Sequence, residues 1–536
     1  MAVGRRDIVF LGVVLAGAVT LSASALGPVM RKPPRPDDKR PPQTDIETVV
    51  GAVDAAFRET WEANGFTPAA RAPDMAIFRR LDLALKGSIP SLEEIRRFDK
   101  QPPDTRLRQR LDQLLADRRS ADYLAERFAR AYVGTEDGPF LRFRRRRFVA
   151  WLSDAIHANR PYGAIVRDLI ADDGLWTDHP ATNFITVTYD EATERPNPER
   201  LGARTARAFL GVRLDCAQCH DHPFQSWKQN DFRGLAAFFG GTRSNFHGTC
   251  DQDNLYHPLD RKTLAAVDIK PKVPFREELL PSEGSPRARL AAWVVDPGNR
   301  DFSRAAVNRV WALVTGRPLV APIDDLRTAD ANHPALDILA DDFAAHGHDL
   351  HRLIRVVAST QTFQLDSEGD DTTSEAREEA WASFPMTRLR PEQVAASLFQ
   401  QASTEALDSQ AHWLFRLVRS TGVNDFVRRY GDVGEDEFDA RSGTIPQRLL
   451  LMNGKVARER IDPGFFVSSS RIALLAPADR EAVETAYLAV LTRRPSGDES
   501  SHFAAKLAGS SGGERRQRLT DLFWTLINSS EFSWNH

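Results

Sequence analysis

Cysteine is nearly missing from this chain: three in 536 residues, at positions 216, 219 and 250. So sparse a supply excludes a disulfide scaffold, and the fold has to stand on its hydrophobic core. An excess of one charge is missing as well. The 71 Lys and Arg nearly balance the 74 Asp and Glu, so the net charge of −3 gives no electrostatic case for nucleic acid as a partner. There is no Walker A, Rossmann glycine fingerprint or H-E-x-x-H, which removes the standard nucleotide-enzyme and zinc-protease sites. Strand-like alternation is scarce, with 184–189 the one candidate.

What is present begins at the N-terminus. Arg5 and Arg6 precede an uncharged stretch from Ile8 to Met30. The apolar run Ile8–Leu21 followed by Ala23-Ser24-Ala25 fits a signal peptide, and the same span is long enough for a signal anchor, so 1–27 reads as one or the other. Either places the bulk of the protein in the periplasm or cell envelope, with a single anchor in the cytoplasmic membrane as the second form. Residues 28–44 are a Pro-rich, charged linker.

From Asp45 the apolar spacing turns helical. It predicts helices near 45–61, 74–86, 103–117, 120–133, 145–158, 162–172, 197–211 and 227–239, with Asn197 and Pro198 as N-cap and first-turn pair. Helical texture resumes at 286 and continues at 301–314, 334–346, 348–359, 391–402, 446–460, 477–492, 497–507 and 513–528. Residues 241–285 read as an irregular connection, Asp366–Glu379 as an acidic loop in solvent, and 421–445 as another long loop. The expected fold is predominantly α-helical: two helical domains, 45–240 and 286–536, with long irregular loops and an N-terminal membrane or signal helix.

Two of the three cysteines stand in Cys216-Ala217-Gln218-Cys219-His220, running on into Asp221-His222-Pro223-Phe224. C-x-x-C-H is the attachment pattern of haem c: the thiols add to the vinyl groups and the adjacent His ligates the iron. Haem c is attached outside the bacterial cytoplasmic membrane, so the motif and the export signal agree. On this reading Cys216, Cys219 and His220 hold the cofactor, with an electron-transfer or envelope protein as partner. A distal ligand is not marked by spacing. Met386 is the nearest downstream methionine, and His179, His247 and His257 are candidates only through folding. The same residues also suit zinc, as a Cys216, Cys219, His222, Cys250 set, or a Cys216–Cys219 disulfide, or thiols that merely pack.

Long stretches make the chain recognisable. Phe209–Phe224 around the cysteines, Asn159-Arg160-Pro161-Tyr162, Val307-Asn308-Arg309-Val310-Trp311, Arg388-Leu389-Arg390-Pro391-Glu392-Gln393 and Asn528-Ser529-Ser530-Glu531-Phe532 carry the likeness. Residues 45–240 resemble DUF1549, the planctomycete cytochrome-like domain 2, and residues about 285–530 resemble DUF1553, the planctomycete surface-type domain 1. The resemblance implies an exported protein of a kind often accompanied by a separate haem c domain, and it implies no particular activity. This chain has no second C-x-x-C-H. An enzyme acting on extracellular polysaccharide is raised only by the kind of bacteria the resemblance points to; no paired catalytic carboxylates stand out.

Other clusters weigh less. Arg142 and Arg144–Arg147, interleaved with Phe143 and Phe148, read as the solvated face of a helix whose buried side is Phe148, Trp151, Leu152 and Ile156. His346, His348 and His351 lie near Asp341, Asp342 and Asp349, but Gly347 and Asp349 read as a helix end and the next N-cap. Asn308, Arg309, Asp324 and Asp325 are expected to form a structural polar network.

Overall fold

A computed structural model describes residues 43–135, 143–222, 225–252, 256–258, 266–327, 333–367, 374–402, 445–453 and 468–536, together with 426–427, 429–430 and 438. The expected signal segment 1–27 and nearly all of the 28–44 linker lie outside them. Among the described residues no helix is long and apolar enough to cross a membrane.

The fold is mostly helical, and side-chain caps at Ser91, Asp117, Asn197, Ser285, Asp349 and Ser496 start several of its helices. The first half contains α1 (Gln43–Ala63), α2 (Asp74–Lys86), α3 (Leu92–Asp99), α4 (Pro103–Ala116), α5 (Arg118–Val133), α6 (Arg145–His157), α7 (Tyr162–Ala171), α8 (Asn183–Thr186), α9 (Pro198–Thr205) and α10 (Gln229–Ala237). After them come α11 (Pro286–Val294), α12 (Arg300–Thr315), α13 (Pro334–Ala345), α14 (Leu350–Ser359), α15 (Gln361–Gln364), α16 (Ser374–Glu379) and α17 (Pro391–Gln401). The C-terminal part holds α18 (Ile445–Asn453), α19 (Ser468–Leu475), α20 (Asp479–Leu491), α21 (Gly497–Leu507), α22 (Gly512–Ile527) and α23 (Ser530–Ser533). Three two-stranded antiparallel pairs complete the described set: β1 (Tyr189–Asp190) with β2 (Arg195–Pro196), β3 (Thr242–Asn245) with β4 (Gly248–Asp251), and β5 (Thr387–Arg388) with β6 (Trp534–Asn535).

Four expectations are corrected. Residues 184–186 form α8, and extended pairing begins only at Tyr189. Phe184 and Ile185 are fully buried, and an apolar run buried on all sides carries no period that separates strand from helix. The 241–285 connection contains the β3–β4 hairpin. The end of the expected acidic loop is helical as α16, while 368–373 lie outside the described residues. Within the expected 421–445 loop, Phe426 and Tyr430 are helical and buried. The rest of that loop, apart from Arg429, Phe438 and the start of α18, is not among the described residues.

Residues Lys39–His536 form one compact unit. Its largest hydrophobic cluster runs from Val53 to Phe384, drawing on α1, α2 and α4–α15. A second cluster gathers Leu389–Phe532 together with Leu83 and Ile89. Helix α2 therefore serves both: Leu81, Ala84 and Leu85 enter the first and Leu83 the second. Its buried Arg79 and Arg80 donate to the carbonyls of Val490 and Phe532 (3.3 Å each) and of His536 (2.8 Å).

Candidate functional site

The Cys-His segment starts where a helix is made to stop. Asn197 caps α9 by accepting the Arg200 N–H at 2.9 Å, and Pro198 occupies the first turn. The helix loosens into a π turn over Ala206–Leu210 and ends at Gly211, which is left-handed (φ 59°, ψ 46°). A Cβ at 211 would lie 2.9 Å from Leu326 Cγ, and the Leu326 N–H donates to the Gly211 carbonyl at 2.7 Å. Only glycine allows this close approach, which pins 324–327 beside the turn.

That placement sets the charges. Asp324 takes Arg213 at 2.6 Å, with Arg207 at 3.9 Å, and Arg207 pairs with Asp215 at 2.6 Å. A 3-10 turn over Asp215–Gln218 then buries Leu214 and Ala217 completely and leaves Cys216, Cys219 and His220 exposed. From the other side, Gln229 at the start of α10 donates its backbone N–H to Asp221 (3.0 Å) and its amide to the Gln218 carbonyl (3.1 Å). The Gln229 N–H, and after it the Lys228 ammonium at 3.2 Å, hold the Asp221 carboxyl below its ordinary range.

The two histidines differ in tautomer. Nδ1 of His220 lies 2.7 Å from the Asp221 carbonyl oxygen. A carbonyl only accepts, so Nδ1 carries the proton and the lone pair of the neutral ring is on Nε2. Nδ1 of His222 instead accepts the Gln225 backbone N–H at 3.0 Å, which puts its proton on Nε2. His222 also donates its backbone N–H to Trp227 (2.8 Å), and the Gln225 amide reaches Asp325 at 3.0 Å. His220 is thus prepared as an Nε2 ligand, whereas His222 holds the loop.

All three cysteines are free thiols. Cys250 sits half-buried on β4 opposite Arg243, in a hairpin bridged to Gly174 through Thr249. Among the described residues no three His, Cys, Asp or Glu stand together as a metal site, so Cys216, Cys219, His222 and Cys250 are not brought into one set. Met386 flanks a cleft beside Leu313, whereas Gly211 faces Ala305 of the same helix, roughly 12 Å earlier at 1.5 Å per residue. His179 pairs with Asp172 and His257 with Asp268, while His247 donates its backbone N–H to Asn245.

A family model described as PSCyt2, a protein of unknown function (DUF1549), matches residues 52–244, and one described as PSD1, a protein of unknown function (DUF1553), matches 286–413. The chain is a DUF1549–DUF1553 protein. Comparison with curated proteins and with solved structures returns no match. In this DUF1549–DUF1553 protein the C-x-x-C-H loop belongs to the first matched region and Asp324–Leu326, which braces it, to the second.

The remaining clusters are structural. Arg145 grips Glu126 with two bonds (2.6 and 2.9 Å), while Arg144 and Arg147 lie over Trp176. Phe148, Leu152 and Ile156 are buried, as a helix with one solvated face requires, and Arg142 lies outside the described residues. His348 packs edge-on against Phe302, and burial lowers its pKa and that of His351 to about 4. His346 instead faces Asp342 and Asp45 at the surface. Asn308 does not join Asp324; its amide exchanges two bonds with the Val320 backbone (2.8 and 3.1 Å). The bracing residues Gln225 and Gln229 carried no sequence signal, and Asp324 lies 111 positions from Arg213.

Proposed function

We propose that this protein carries one covalent c-type haem on Cys216 and Cys219, with His220 Nε2 as the axial ligand, and works in electron transfer or redox chemistry in the cell envelope. The observation that carries the reading is the Asp221 carbonyl on His220 Nδ1, since a metal-ligating histidine has its other ring N–H held by such an acceptor. The donor set fits the group: two free, exposed thiols on one turn with the imidazole next to them. When bound, the haem would supply one-electron chemistry tuned by its axial ligand and its exposure.

The chain's own residues do the positioning. Gln229 and Lys228 fix Asp221, Asp221 orients His220, and the Arg207–Asp215 and Arg213–Asp324 pairs hold the turn that presents the thiols. Location outside the cytoplasmic membrane is supported by Arg5-Arg6 and the apolar run after them, and an envelope redox protein is the partner this implies.

The test is an absorption spectrum and intact mass of protein matured in a haem c-competent host. A Soret band and a mass gain of one haem surviving denaturation are expected, and Cys216→Ser with Cys219→Ser should lose both. Colourless protein overturns the proposal. In that event stoichiometric zinc or an oxidised Cys216–Cys219 pair would mark a non-haem envelope scaffold instead.

A further inference from the structure

The Arg388–Gln393 stretch has no part in the Cys-His loop, yet it walls a cleft of about 330 Å³ at the C-terminal end of α12. That volume is at the small end of ligand sites, which run from about 300 to 1,000 Å³. Its construction is specific. Gly316 ends α12 with φ 89°, and a Cβ there would lie 2.4 Å from Thr387 Oγ1, so β5 can lie against the helix end only at a glycine. Strand β5 pairs with β6, setting Arg388 opposite Trp534 and Thr387 opposite Asn535.

Arg388 and Arg390 are two positions apart on extended backbone, so they share a side. Both guanidinium groups are held in place: Arg388 donates to Tyr430 (2.8 Å) and to Gln447 Oε1 (2.5 Å), and Arg390 to Tyr123 (3.2 Å). Arg317 also lines the cleft, stacks on Trp381 and donates to the Glu378 carbonyl at 2.5 Å. Glu375 and Glu378 also line the cleft, and the Glu378 carboxylate accepts the Met386 N–H at 3.3 Å. Asn535 is only 7 % exposed, lines the cleft, and its Oδ1 has no hydrogen-bond partner. A buried acceptor left this way calls for a donor. Met386, 52 % exposed, and Trp534 add apolar surface.

We infer that the cleft binds a small hydroxylated organic carboxylate of monosaccharide size. Its carboxylate lies against the positive charge of Arg388 and Arg390, a hydroxyl donates to Asn535 Oδ1, and its carbon face rests on Met386 and Trp534. The site is independent of what the Cys-His loop holds.

Titration calorimetry on the full chain with D-glucuronate, D-glucose and sodium sulfate tests this. Glucuronate should bind at least tenfold more tightly than either glucose or sulfate. Arg388→Gln should weaken it tenfold or more, and Met386→Trp, a change at an exposed position that fills the cleft, should abolish it at unchanged melting temperature. Equal binding of glucose, equal binding of sulfate, or glucuronate binding untouched by Met386→Trp would each overturn the inference. Should Arg388→Gln fail to fold, the Met386 variant still decides.

Discussion

His220 and His222 stand two positions apart and are indistinguishable as letters, yet one backbone carbonyl and one backbone N–H give them opposite tautomers. The variants should therefore separate. His220→Ala should keep covalently attached haem by mass but shift the Soret band and change the potential, whereas His222→Ala should leave the spectrum close to the parent. Identical spectral effects of the two would remove the distinction. Gly211 acts one step behind. Gly211→Ala puts a Cβ into Leu326 from a left-handed backbone, so a loss of about 1–3 kcal/mol is expected in chemical denaturation, with poorer haem retention. The buried histidines set a pH dependence. Burial lowers His333, His348 and His351 to about 4 from an ordinary 6.5, so the folded chain stays neutral where the unfolded chain takes up protons. Their contribution is complete above pH 6.5 and is lost as pH falls toward 4. The urea midpoint should drop between pH 6.5 and 4.5, and His351→Gln should flatten that slope.

Among elements, legibility followed local chemistry. Helices α9 and α21 were readable because spacing and caps agree, with Asn197-Pro198 and Ser496 doing in the structure what their types predict. Helix α3 is not among the predicted helices although its signal stands in the sequence: Ser91 and Glu94 form a capping box, with bonds of 3.2 and 2.8 Å. Glu94 also meets Lys86, Arg110 and Arg119, which with the Ser91 N–H keep its carboxyl far below the usual range despite burial. Ser91→Ala should cost about 1 kcal/mol, read as a lower denaturation midpoint with unchanged haem content. An unaltered midpoint would mean the cap is idle. The strand expected at 184–189 failed for the opposite reason, because complete burial erases periodicity. The C-x-x-C-H itself was plain in the sequence. Its brace was not, because Arg213–Asp324 and Gly211–Leu326 join positions more than a hundred residues apart.

At the scale of the whole molecule, the largest core takes residues from both sides of 241–285, and α12 packs on the π turn that leads to the cysteines. Residues 45–285 expressed alone should therefore show helical circular dichroism without a cooperative thermal transition; a sharp transition in that fragment would show that the first part folds unaided. Helix α2 makes the dependence still longer, since Arg79 and Arg80 meet carbonyls 453 and 456 positions away. A chain made at about 5–20 residues per second needs on the order of half a minute to supply those carbonyls. Over that interval Arg79 and Arg80, buried in the folded chain, have not yet met those carbonyls. Maturation of the Cys-His loop thus has a window, measured in tens of seconds, in which the thiols have emerged and the fold around them has not yet closed.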